Sequence, residues 1–245
     1  MRAFKAQLQA ELSMTLRRGE NLLLTIGIPL LLLVFFAKIK VSSTEGSHPI
    51  DTVAPGIIAL AIMSTSMVSL GIATGFERSY GVLKRLGTTP LGRTRLLGAK
   101  VASVMVIEVL QVIAISALAL ALGWHPTTSA SLIIQAIAAS LLGSIAFGGI
   151  GLALAGRLRG ELNLAAANGL YLVLLLVGGM VVPLASLPAP LRTIAELLPA
   201  AALSSALHHS LGPIAACYAG SWFVLLAWTI VAPVVAATTF QFDGE

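Results

Sequence analysis

The sequence predicts an all-α integral membrane protein, and three observations carry that reading. Hydrophobic residues make up 57% of the 245 positions and charged ones only 10%, where a soluble domain carries about 25% charge. Six apolar runs are long enough to cross a bilayer as helices. The loops between them alternate in charge, and 12 of the 15 Lys and Arg residues fall on the side that holds both termini. Such an excess marks the cytoplasmic face, so the formal net charge of +5 reflects topology and not nucleic-acid binding.

Residues 1–19 come first. Phe4, Leu8, Leu12 and Leu16 recur every four positions, which fits a helix lying in the membrane interface with its apolar face down. Arg17 and Arg18 precede a short first span, 21–37, which contains Pro29. That proline kinks the helix unless a neighbour satisfies the carbonyl it frees. A polar external loop leads to the second span, 53–76, which is uncharged and rich in Gly, Ser and Thr, residues that let helices approach and hydrogen-bond across their contact. The third span, 101–123, ends at Trp124, expected at headgroup depth. The fourth, 129–156, is Gly- and Ala-rich, and the fifth is 162–182. Residues 183–213 hold five prolines and no uninterrupted apolar stretch of span length, so two short helices, 189–198 and 200–211, are expected to dip into the outer leaflet and return. The last span is 220–240, and the whole chain reads as one transmembrane domain, 1–245.

The most charged stretch is Glu77–Lys100, with six cations against one acid. Val82, Leu83 and Leu86 lie at helical spacing and stop at Gly87, and Thr89-Pro90 reads as the N-cap and first residue of a new helix. A short amphipathic helix followed by a helix restart makes a basic knob fixed to two spans. It serves either as a set of topogenic charges or as a lever by which a cytosolic partner moves the membrane helices.

No GxxxxGK[ST] loop, HExxH, GxSxG or paired Cys/His spacing occurs, so the chain is not expected to be an enzyme or to hold a metal. Cys217, the lone cysteine, forms no disulfide framework and reads as a small buried hydrophobe. Glu108 is the ionisable residue well inside a span, about 12 Å along the helix from Lys100; it bonds between helices or lines a pathway. Ser66 and Asn168 are the other polar candidates within spans, and Asn163 and Asn168 suit interhelical bonds or a cap. His208 and His209 point about 100° apart on a helix, which suits a wet interfacial pair better than a shared metal.

Glu77-Arg78, Gly81-Val82-Leu83-Lys84-Arg85-Leu86, Thr89-Pro90-Leu91 and Arg95-Leu96-Leu97-Gly98-Ala99-Lys100 together resemble the "ERE.GTLKRL..TPL.R...L.GK" loop of ABC type-2 exporter membrane subunits, the group that includes daunorubicin-resistance-type drug exporter permeases. Ser79 stands where that family often has a second acid and Val82 where it has Thr. Leu187-Pro188, Leu191-Arg192, Ile194-Ala195 and Leu198-Pro199 are similar to its "LP..LR.IA...P" external hairpin. The resemblance implies that Glu77, Arg78, Val82, Leu83, Leu86, Thr89, Pro90 and Leu91 couple the chain to cytosolic ABC ATPase subunits. It places Pro188, Arg192, Glu196, Pro199 and His208 in re-entrant helices near the exit. It further implies a second permease subunit, identical or paralogous, contact with membrane lipid, ATP and Mg on the ATPase and no cofactor on this chain. The expected function is outward transport of a hydrophobic or amphipathic drug, lipid or glycolipid across a bacterial or archaeal cytoplasmic membrane. The alternative is an envelope-assembly scaffold or a membrane enzyme without its own ATPase.

Overall fold

The computed structural model describes residues 2–17, 19–38, 49–87, 92–126, 129–212, 218 and 220–241. It contains α1 (Arg2–Arg17), α2 (Gly19–Lys38), α3 (Pro49–Met63), a π-helical turn (Ser64–Ser69), α4 (Leu70–Ser79), α5 (Val82–Gly87) and α6 (Arg93–Ala121). Then follow α7 (Ala130–Arg157), α8 (Gly160–Val177), a 3₁₀ turn (Leu184–Ser186), α9 (Ala189–Glu196), α10 (Pro199–Leu211) and α11 (Ser221–Thr239). No strand occurs among the described residues. Among the described residues, five helices are long and apolar enough to cross a membrane: Pro49–Ser79, Arg95–Ala121, Ala130–Arg157, Gly160–Val177 and Ser221–Thr239. The apolar part of α2, Leu23–Lys38, is shorter. The protein is an all-α, multi-pass membrane protein.

Pro49–Ser79 is the most buried of the five and forms the axis of the bundle. Small residues bring other backbones against it, because van der Waals packing replaces the hydrophobic effect between helices in lipid. A Cβ on Gly151 of α7 would lie 2.5 Å from the Met67 carbonyl oxygen, and one on Gly71 would lie 3.0 Å from the Gly151 oxygen. On the other side of α7, Gly149 abuts Pro233 of α11, and Thr229 donates to the Leu142 carbonyl at 3.1 Å. Pro29 behaves as its chemistry demands. It cannot donate to Thr25, and the Thr25 carbonyl instead accepts from Gln111 Nε2 of α6 at 2.6 Å.

Several expected boundaries shift. The third span's helix begins at Arg93, because Gly92 has φ +75° and breaks the helical run; the Thr89-Pro90 start falls outside the described residues, as do Leu91 and Cys217. The fifth span stops at Val177 and not at 182, since the chain breaks at Gly178 and Gly179, the latter at φ +70°. Trp124 is buried in the larger core cluster. Along the stripe on α1, Phe4 packs against α6 at Gly98, Leu8 and Leu12 are half-buried, and Leu16 is exposed.

Residues 183–213 contain two short helices, α9 and α10. Neither is long enough to span a membrane. Most of α10 is buried, and Leu203 packs onto Gly143 in the middle of α7. The side chains of Tyr218 and Trp228 hold α9 by donating to the Glu196 and Leu197 carbonyls at 2.9 Å each.

Gly151→Ala forces a methyl group into the backbone of the π turn and should cost about 1–3 kcal/mol. Gly27→Ala on α2 meets nothing within 4 Å and should stabilise its helix by about 0.5–1 kcal/mol. Thermal unfolding of the two variants in detergent should therefore shift in opposite directions.

Candidate functional site

The chain concentrates polar chemistry in three places: the end that carries the basic island, the middle of the bundle, and the hairpin. At the basic end, three consecutive residues of α4 reach different neighbours. Glu77 pairs with Lys100 of α6 at 2.6 Å, and the same ammonium pairs with Glu11 of α1 at 2.9 Å. Arg78 turns inward, and one guanidinium nitrogen donates to the carbonyls of Ala155 and Leu158 at 3.0 Å each. Those carbonyls close the end of α7, where a cation also meets the negative end of the helix dipole. The Ser79 hydroxyl accepts from the Gly160 amide at 3.2 Å and so caps the start of α8. One segment thereby fastens α4 to α1, α6, α7 and α8.

The turn at Tyr80–Gly81 then swings α5 outward. Leu83 is fully buried, in a cluster with Leu70, Leu96, Leu97, Leu152, Ala155, Ala236 and Phe240. Leu86 packs on the edge of that cluster. Leu83 and Leu86 thus share a face that closes the chain's own second core. Glu77 and Arg78 likewise engage the chain itself. Tyr80, Val82, Lys84 and Arg85 are the exposed side chains of the turn and α5, with Tyr80 stacked on Phe76. Tyr80 lay outside the sequence candidates, yet its position, an aromatic at the tip of a basic loop, is visible in the sequence.

In the middle of the bundle, Glu108 accepts from Ser66 of the π turn and from Ser144 of α7. One turn along α6, the Gln111 side-chain oxygen accepts from Thr65 at 3.0 Å while its nitrogen serves Thr25. Glu108 and Ser66 are therefore brought together, in a buried cluster joining four elements. Asn168 does not belong to it: it is exposed on α8 and donates to Leu164 in its own helix. Asn163 is the interhelical one, donating to the Gly71 carbonyl at 2.8 Å.

At the hairpin, Pro188, Arg192 and Glu196 belong to α9 or its start, and Pro199 and His208 to α10. Arg192 and Glu196 form an i,i+4 ion pair at 2.9 Å. His208 has Nδ1 2.7 Å from the Ser204 carbonyl and Nε2 3.0 Å from that of Thr52, so it ties α10 to the start of α3. Burial holds its imidazole below the ordinary range, against the two carbonyls, which favour the charged form. A cavity of about 320 Å³ opens here, lined by Phe36, Thr52, Met180, Leu184, Ser204 and His208 among others. Among the described residues no group of three or more His, Cys, Asp or Glu is placed to hold a metal.

The arrangement is a surface turn fastened to a bundle of membrane helices. The profile of the ABC-2 type transporter family matches residues 2–211. The chain belongs to that family. It is a permease subunit of an ABC transporter, and the family as a whole works with ABC ATPase subunits. No curated protein matches the chain.

Lys100→Met should leave two poorly solvated carboxylates without their shared cation, at a cost of about 3–5 kcal/mol. Adding Glu11→Gln and Glu77→Gln removes those charges and should restore most of the loss. Thermal unfolding of the purified subunit reads both.

Proposed function

We propose that this permease moves a hydrophobic or amphipathic substrate outward, driven by separate ATPase subunits that dock on the Tyr80–Leu86 turn. The observation that carries the reading is the fastening of that turn. Glu77, Arg78 and Ser79 bind three other helices directly behind it, and Lys100 ties in a fourth, so a displacement of the turn moves helix ends and not a loose loop. A topogenic loop needs only its charges; it needs no buried guanidinium joined to two carbonyls.

In this reading the turn lies in the cytosol, as the 12 cations on its side direct. Tyr80 and Val82 supply the apolar contact, and Lys84 and Arg85 supply a basic rim for an acidic groove. ATP and Mg stay on the partner. Two permease subunits, alike or paralogous, enclose the route, and the closing ATPases switch it between inward- and outward-facing forms. The substrate acts on that equilibrium only through its different affinity for the two forms. The setting is a bacterial or archaeal cytoplasmic membrane.

Two substitutions separate docking from folding. Val82→Asp places a carboxylate in the proposed contact while leaving the buried cluster intact, and should weaken ATPase binding by roughly a hundredfold for a loss of about 3 kcal/mol. Leu83→Asp buries a charge in the subunit's own core and should lower the yield of folded permease. Co-purification of the ATPase, normalised to folded permease, is the measurement. Undiminished capture by the Val82→Asp and Tyr80→Asp variants would overturn the docking assignment.

A further inference from the structure

The central helix, Pro49–Ser79, is not uniform. Its ladder widens midway into the π turn Ser64–Ser69, whose bonds skip one residue further than those of an α-helix. The two halves on either side pack into different cores. Ile57 to Met63 and Met67 belong to the larger cluster, with Leu203, Leu207 and Phe147. Leu70 belongs to the smaller one, with Leu83, Leu96, Leu152 and Phe240 at the basic end. The turn therefore lies on the seam between the two cores.

Across the seam, α7 brings Gly148 against the Leu70 and Val101 side chains and Gly151 against the backbone at Met67 and Gly71. α6 and α7 run unbroken across the seam, and side-chain hydrogen bonds tie the turn to both. Ser66 of the turn is held by Glu108, which also takes Ser144 of α7. Thr65 is held by Gln111, which also takes the carbonyl that Pro29 frees on α2. Two of the turn's four hydroxyl side chains, Thr65 and Ser66, are thus committed to α6.

We propose that the π turn is the joint at which the coupling half of the central helix tilts relative to the hairpin half, with Glu108 and Gln111 as the positioning residues that hold it closed. The inference rests on the reading of the chain as a permease that changes conformation, and it assigns the buried glutamate to the joint and not to substrate. A change of about 20° at such a bend, over the ten residues of α4, about 15 Å, carries the coupling turn about 5 Å.

The test uses the permease alone in lipid nanodiscs, so that it stands whether or not an ATPase docks. Cys217 is replaced by Ala, and spin labels are placed at Lys84 on the coupling turn and Ile134 on the hairpin half of α7. A second pair, Leu120 and Ile134, lies wholly on the hairpin half. Opening the clasp with Thr65→Val plus Ser66→Ala should add a second Lys84–Ile134 distance about 5 Å from the first, with the Leu120–Ile134 distance unchanged. Glu108→Gln should do the same to a smaller extent and serves if the double variant does not fold. An unchanged Lys84–Ile134 distance in the folded variants, or equal broadening of both pairs, would overturn the joint. With the ATPase bound, nucleotide should shift the unsubstituted permease towards the second distance; a shift confined to the clasp variants would overturn the coupling of the joint to transport.

Discussion

The Arg78 guanidinium, drawn inward to the last carbonyls of α7, is the interaction on which the basic end depends. A charged group buried among helix ends is costly unless it finds acceptors, and one guanidinium nitrogen of Arg78 finds two while its Nε is left without one among the described residues. Here it closes the α7 C-terminus and turns the neighbouring residues to their own partners, Glu77 to Lys100 and Ser79 to Gly160. The chain thereby converts one surface turn into an attachment shared by five helices. Without it, α5 would be a basic loop on flexible stems, and a push on it would dissipate there.

The second constraint is the absence of water around the spans. A backbone carbonyl freed in lipid has to find a donor in the protein, and the sequence supplies one for Pro29 on a different helix, 86 residues away. The same side chain then holds Thr65. A requirement of local chemistry on α2 has become a tie to the widest turn of the central helix. Glycine does the complementary work, bringing α7 to the axis so closely that polar side chains of three helices meet.

Much of the fold is legible in the sequence because its causes are local. Apolar run length gives the helices, the prolines of 183–213 give the broken hairpin, and Gly87 gives the end of α5. The early end of α8 is less so, since the Gly178–Gly179 break lies inside an apolar run that reads as continuous. The candidate site is legible in its location and not in its orientation. Spacing shows that Leu83 and Leu86 share a face, but it does not show which body covers that face. A stripe that fits a partner's groove fits equally well the chain's own cluster around Phe240, more than 150 residues away. Glu77 and Arg78 are similar: the charge is visible, its internal partners are not. The π turn leaves no mark in periodicity, because six small or flexible residues read the same in either kind of helix.

The account turns on the attachment at Arg78 as the route from the coupling turn to the hairpin. The direct measurement is the nucleotide-driven change in distance between spin labels at Leu120 and Ile194, in permease reconstituted with its ATPase. Both side chains are exposed, the first on α6 and the second on α9. In the unsubstituted protein the distance should change on ATP binding. With Arg78→Gln the ATPase should remain bound while that change disappears. The same change persisting in the Arg78→Gln complex would contradict the account.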